Sequence, residues 1–338
     1  MNKVLVKQLL TEYDIKRKNA ILEAENKKRE LMEVNPRLSE IEKDLSNISL
    51  EASKKMIAGG TDKDKILSEL KKKTAILVKE KNSIIKEISK SSSFFEPNFE
   101  CKMCEDTGFV TKAGKSIMCN CLKQRIYDIS FNKTNMGNLE RENFDTFSIR
   151  VFSDKPDKER FKSDISPREN IILLKEKALE FIDKFDDPSE KNLIFTGSTG
   201  LGKTFLTNCI ANELLKEGKT VLYQTAPVMF DAILDEKFGK KPDSNLEENI
   251  LNCDLLIIDD LGTEKTSDTK IEELFTIINT RLLNQNHKIT KTIISTNLTA
   301  NELFNVYTAR IGSRLAGNYR FLRFFGDDIR IKKGKKEV

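Results

Sequence analysis

The first 92 positions scatter short hydrophobic stretches among alternating Lys and Glu, and hold only two glycines, Gly59 and Gly60, and one proline, Pro36. That pattern predicts long solvated helices. The first helix runs to about Val34 and stops at Asn35-Pro36, because the residue before a proline is pushed out of helical geometry. A second ends at Gly59-Gly60. The third starts at Thr61, whose hydroxyl can cap it while Asp64 reaches back as in a capping box. Along this third helix Leu67, Leu70, Thr74, Leu77, Ile84 and Ile88 follow a 3-4 spacing interrupted at Lys81. So narrow a stripe suits packing on another helix, either within the chain as a hairpin or on a partner.

Ser91-Ser92-Ser93 and Pro97 end the helical part, a cysteine segment follows at 98–122, and a stretch rich in Asn, Asp and Lys at 132–168 reads as a linker. From about residue 169 the pattern changes to short β-branched runs: LIFT at 193–196, TVLYQ at 220–224, LLIID at 255–259 and TIIST at 292–296. Strands alternating with helical stretches predict a parallel sheet covered on both faces. The expected organisation is a helical region at 1–95, a zinc-binding module at 96–131, the linker, and an α/β domain at 169–338.

Composition changes this picture little. Lys and Arg number 58 against 53 Asp and Glu, a net charge of +5 with both signs abundant, so the whole-chain balance does not select a nucleic-acid partner. No run approaches the roughly 18 to 20 apolar residues of a membrane span, and MNKVLVKQLLTEYD turns acidic before a signal-type apolar core develops. A soluble, cytoplasmic protein with no membrane partner is expected.

Four of the six cysteines fall in one segment, as Cys101-Lys-Met-Cys104 and Cys119-Asn-Cys121. A hairpin carrying Gly108 and Gly114 would fold both pairs onto one ion. Zinc is the expected metal, because four thiolates complete its tetrahedral shell and make a structural staple with no catalytic position. An iron–sulfur cluster is the main rival, since it uses the same four ligands. Cys209 and Cys253 lie in apolar surroundings and read as inert core residues.

Gly197, Ser198, Thr199, Gly200, Leu201, Gly202, Lys203 and Thr204 match G-x-x-x-x-G-K-[ST], follow a predicted strand and open a predicted helix. In that context the backbone N–H groups turn inward on phosphates, Lys203 reaches the β- and γ-phosphates of ATP, and Thr204 holds Mg²⁺. The run ending in Asp259-Asp260 supplies two carboxylates as a Walker B strand beside the phosphate loop. Asp259 is expected to support Mg²⁺. Asp260 stands where many ATPases carry Glu to orient the attacking water. Asn297 ends the next strand, where an amide can sense the γ-phosphate, although Asn after a strand is also a common turn residue. Arg310 and Arg314 on a later helix, and Arg330 after Gly-Asp-Asp-Ile, complete a sequence order that is the order of an AAA+ ATPase.

Residues 190–332 resemble the DnaC/DnaI family of AAA+ helicase loaders through GSTGLGKT, LLIIDDLGTEK, ARIGSRL and GDDIR. CKMCEDTGFV with C-N-C is similar to the zinc segment of the DnaI branch, and NFDTFSI at 143–149 looks like the family's connection into the ATPase core. The resemblance implies an AAA+ P-loop fold preceded by a helical and zinc-binding N-terminal part. It also implies ATP hydrolysis with Mg²⁺, single-stranded DNA, a hexameric replicative helicase as client, and a homo-oligomer on that helicase. Asn297 becomes sensor 1, Arg314 an arginine finger toward a neighbouring subunit with Arg310 as the alternative, and Arg330 a sensor-2-like arginine. An ATP-dependent transposition helper shares much of this core, and a metal-bearing structural adaptor with vestigial nucleotide binding is a third reading. Lys237, Lys240 and Lys241 around Phe238 could meet DNA phosphates or simply end a solvated helix, and Arg320–Val338, net +4, reads as a DNA contact or a solubilising end. His287, the only histidine, reads as a surface residue.

Overall fold

The structure, a computed structural model, describes residues 3–57, 63–89, 96–130, 141–239, 245–285 and 288–330. Gly59, Gly60, Thr61, Lys240, Lys241, His287 and the residues beyond 330 lie outside these, and with them the expectations placed on them. By internal contacts the chain forms two units, Lys7–Ile117 and Met118–Val338 with Met1–Val6.

In the first unit the helices are α1 (Lys3–Val34), α2 (Pro36–Ile57) and α3 (Lys63–Ser89). The break at Asn35-Pro36 falls where the proline rule puts it, and the Asn35 carbonyl and side-chain oxygen both accept from Leu38 N as α2 begins. Helices α2 and α3 pack on each other, with Leu38, Ile41 and Ile85 buried. Of the expected stripe, Leu70, Thr74, Leu77 and Ile84 are half-buried, as is Lys81 between them, while the side chains of Leu67 and Ile88 lie outside the described ones. The Lys81 ammonium lies 2.6 Å from Glu42 of α2, which also receives Lys28 of α1 at 3.2 Å. The fully buried member is Ile85, one place from the expected Ile84.

In the second unit β3 (Asn192–Thr196), β4 (Val221–Thr225), β5 (Leu255–Leu261), β6 (Lys291–Thr296) and β7 (Tyr319–Arg323) form one parallel sheet in the order β4-β5-β6-β3-β7. Alternate residues feed opposite faces. Ile194, Leu222, Leu256, Ile258 and Ile294 enter one core with α8 (Ala226–Lys237), α9 (Leu246–Asn252), α10 (Asp268–Asn284), α11 (Ala300–Val306) and α12 (Ala309–Asn318). Leu193, Phe195, Tyr223, Leu255, Ile257 and Ile293 enter the other with α6 (Pro167–Asp183) and α7 (Lys203–Lys216). Burial on this scale, about 1.5–3 kcal/mol per large apolar side chain, makes the sheet the rigid base of the site. Edge strand β4 is closed by α4 (Asn120–Ser130): the Gln124 amide donates to Val221 O and accepts from Val221 N.

Two expectations need correction. Within 132–168, the described stretch from 141 onward packs onto the sheet unit: Phe152 and Phe161, the latter in α5 (Lys158–Phe161), are buried, and Phe144, Phe147, Ile149 and Val151 lie on the second core. Nor is Tyr319–Arg323 a free basic end. It is β7, paired with β3 from Asn192↔Tyr319 to Thr196↔Arg323. Its arginines hid it in the sequence, and both are occupied internally: Arg320 meets Glu190 at 3.2 Å, and Arg323 donates to Phe161 O at 2.8 Å.

Candidate nucleotide site and cysteine centre

The loop Gly197–Thr204 leaves the C-terminal end of β3 and enters α7. Gly202 occupies the cap position with φ +87°, and no side chain caps the helix, so the first N–H groups of α7 keep the direction in which an anion would be bound. The glycines are needed for two reasons. Gly197 and Gly200 have φ of +138° and +75°, and a Cβ would lie 2.3 Å from Phe324 O at Gly197 and 2.1 Å from the Asp328 carboxyl at Gly200. The backbone after β7 runs that close because Phe324 N donates to Thr196 O and Ile329 N to Gly200 O.

Lys203 is buried, and its Nζ donates to Gly197 O (2.5 Å), Ser198 O (2.8 Å) and Asn297 Oδ1 (2.8 Å). Burial lowers its pKa, while Asp260 and Asp259 oppose that shift. Thr204 donates to Asp259 Oδ2 at 3.3 Å. β6 runs between β3 and the Walker B strand β5, which brings Asn297, just past its end, to Lys203. Asp260 turns into left-handed geometry with φ +55°, just where the β5–β6 register shifts between Ile258 and Leu261. Burial, and next the charge of Asp259, raise its carboxyl above the usual range. Arg330 is exposed, yet its charge acts on both Lys203 and Asp260.

Thus the phosphate loop, Asp259, Asp260, Asn297 and Arg330 gather at one end of the sheet. Arg310 and Arg314 do not join them through their own helix. They are exposed on α12, whose Ile311 and Leu315 pack in the core on the face opposite α7. Lys237 is exposed but its charge is paired: both oxygens of Glu273 lie within 2.8 Å of its Nζ, and Phe238 beside it is 72% exposed.

Sequence reading missed four side chains here. Tyr223 and Ser295 both donate to Asp259, one to each carboxylate oxygen. Tyr307 donates to Glu264, whose other oxygen accepts from Gly262 N at 2.8 Å, tying the loop after Asp260 to the turn before α12. Period-2 alternation puts Tyr223 and Asp259 on one face of neighbouring strands, but strand order is needed to see it.

The group fits an ATP phosphate tail and Mg²⁺: an uncapped helix start and a buried ammonium face the anion, and hard oxygen donors on Thr204 and Asp259 suit the cation. Comparison with known proteins agrees. The sequence profile of the IstB-like ATP binding protein family matches residues 160–332. The chain belongs to this family. It is 28% identical over 209 residues to the replicative helicase loader DnaC of Escherichia coli (strain K12), covering 59% of this chain and 82% of that protein. It is 27% identical over 233 residues to the phage-like element PBSX protein XkdC of Bacillus subtilis (strain 168), covering 64% and 78%. Among solved structures, DnaI aligns with TM-score 0.43 and 22% identity over 56% of this chain and 94% of that one. AMPPCP-bound DnaA from Aquifex aeolicus aligns with TM-score 0.42 and 24% identity over 50% and 52%. This protein is therefore an ATP-binding member of the AAA+ fold class.

The cysteine segment is built locally. β1 (Phe109–Lys112) and β2 (Lys115–Met118) form the hairpin, turning through Ala113 and Gly114 with φ of +48° and +75°. The Sγ atoms of Cys101, Cys104, Cys119 and Cys121 lie within 4.8 Å of one another. Thiolates at about 2.3 Å from a tetrahedral zinc stand about 3.8 Å apart, so the set fits that ion with small adjustment. Buried Asp106 accepts from Glu100 N (2.9 Å) and Cys101 N (2.8 Å), holding the first thiol pair in its turn. Cys209 and Cys253 are buried apart from it, and burial pushes the Cys209 thiol up to about 12.

Proposed function

We propose that the protein is an ATPase that loads a hexameric replicative helicase onto single-stranded DNA. The observation that carries the ATPase part is the convergence of Lys203 with Asn297 and of Thr204 with Asp259 at the start of α7. Lys203 exchanges loop carbonyls for phosphate oxygens, Thr204 and Asp259 take up Mg²⁺, and Asp260 orients the attacking water. The metal, when bound, neutralises charge developing on the phosphates. Asn297 leaves Lys203 to follow the γ-phosphate, and Arg330 adds positive potential. Arg314, exposed on the other layer, serves the site of an adjacent copy. Zinc at the four cysteines staples the hairpin and does no chemistry.

The loader part rests on the likeness to a protein named as a replicative helicase loader over 82% of that protein's length. The relatives named above do not favour the transposition-helper reading. Co-purification with the organism's replicative helicase, with and without ATP and single-stranded DNA, tests the proposal. ATP-dependent capture of the hexamer is expected. Capture of a transposase and no helicase would overturn it.

A further inference from the structure

The Asp259 carboxylate is buried and accepts four hydrogen bonds, one for each of its lone-pair positions. Oδ2 accepts from the Thr204 and Tyr223 hydroxyls, and Oδ1 from the Ser295 hydroxyl and from Asp260 N at 3.2 Å. These donors are not equivalent. Thr204 is half-buried and its contact, 3.3 Å, is the longest of the three hydroxyl contacts, so it is the one most easily given up. Tyr223 and Ser295 are buried and come from β4 and β6, the strands on either side of β5. They grip the carboxylate from both flanks and through different oxygens.

The ladder explains why such a grip is needed. Regular β5–β6 pairing stops at Ile258 and resumes at Leu261, so on the β6 side the ladder does not hold Asp259 and Asp260, although Asp259 still pairs with Thr225 of β4 on the other side. On the β6 side Ser295 replaces the ladder twice over, donating to Asp259 and accepting from Asp260 N at 3.2 Å. Tyr223 blocks rotation of the carboxylate about its own bond, which leaves Oδ2 facing Thr204.

We infer that Tyr223 and Ser295 are positioning residues that hold the Asp259 carboxylate in the orientation needed to take up Mg²⁺ together with Thr204. This rests on the nucleotide-binding reading above and adds to it the two side chains that set its metal affinity. Neither touches nucleotide. Their removal should therefore act on the metal-dependent part of binding alone.

The test uses the full chain and equilibrium titration with a fluorescent ATP analogue, in EDTA and across a Mg²⁺ series. Tyr223→Phe keeps the ring and removes only the hydroxyl; Ser295→Ala removes the second grip. Each should raise the Mg²⁺ concentration for half-maximal tight binding by about tenfold, the scale of a lost hydrogen bond to a charged group. Affinity in EDTA should stay unchanged, and Ser295→Thr should restore the native Mg²⁺ curve. Variants that unfold at lower temperature while keeping the native Mg²⁺ curve would overturn the inference and leave the ATPase reading standing. A native chain with no Mg²⁺-dependent nucleotide binding would overturn both.

Discussion

Lys203 and Asn297, 94 residues apart in sequence, are joined by a 2.8 Å hydrogen bond from Nζ to Oδ1. The contact spans two adjacent strands, β3 and β6, and leaves the ammonium shared between an amide and two loop carbonyls. Phosphate oxygens would replace three neutral acceptors with charged ones, which strengthens each bond. The pair is thus set for exchange on nucleotide arrival.

The three residues at this point separate by function. Lys203→Ala should abolish measurable ATP binding, because the phosphates lose their closest cation. Asn297→Ala and Asp260→Asn should bind with near-native affinity and hydrolyse slower by about 10²-fold. Asn is the suitable replacement at 260, since it tolerates the left-handed backbone that position adopts. Nucleotide titration together with steady-state phosphate release distinguishes the classes. Native affinity in Lys203→Ala would remove the loop from the nucleotide site.

Arg314→Ala should bind ATP normally as an isolated chain and lose the hydrolysis stimulated by helicase or single-stranded DNA, when neighbouring copies stand in register. An equimolar mixture with Lys203→Ala should regain part of that activity, since one chain keeps its pocket and the other its finger. The effect of such an arginine is about 10³-fold or more, so partial recovery is easily read. An inactive mixture of variants that still assemble on the helicase would argue against a shared site.

Metal analysis of the purified chain should give about one zinc and negligible iron. Cys104→Ser should lower that content and disorder the hairpin, because the buried thiols hold it through the metal. Visible charge-transfer bands with stoichiometric iron would assign the cluster instead.

Acid stability of the helical region should depend on Glu42. Burial alone would raise its pKa, but Lys81 and Lys28 outweigh that and hold it below the usual glutamate value. The ion pairs therefore stabilise the fold fully above the ordinary glutamate pKa, about 4.3, and are lost as pH falls through the lowered value. Glu42→Gln should lower the unfolding temperature at pH 7 and flatten its decline between neutral and acidic pH. Parallel native and variant curves would show that the helices are held by buried apolar residues such as Leu38, Ile41 and Ile85 and not by these ion pairs.

The local chemistry of this protein is written in its sequence because it depends on neighbours within a few residues. The helix break at Asn35-Pro36, the phosphate loop, the four buried strands and the hairpin between thiol pairs each follow from short-range sterics, spacing or hydrophobic periodicity. Strand order depends on the whole chain, and only the tertiary structure decided it. Placing β6 between β3 and β5 brings Asn297 to Lys203 and Ser295 to Asp259, pairs no local pattern reveals. The same holds for β7, whose arginines resemble a solvated tail until Glu190 and Phe161 are seen beside them, and for the segment around Phe152, polar in sequence yet buried through its few aromatic residues. Composition averages over a segment, whereas burial is decided residue by residue by what folds against it.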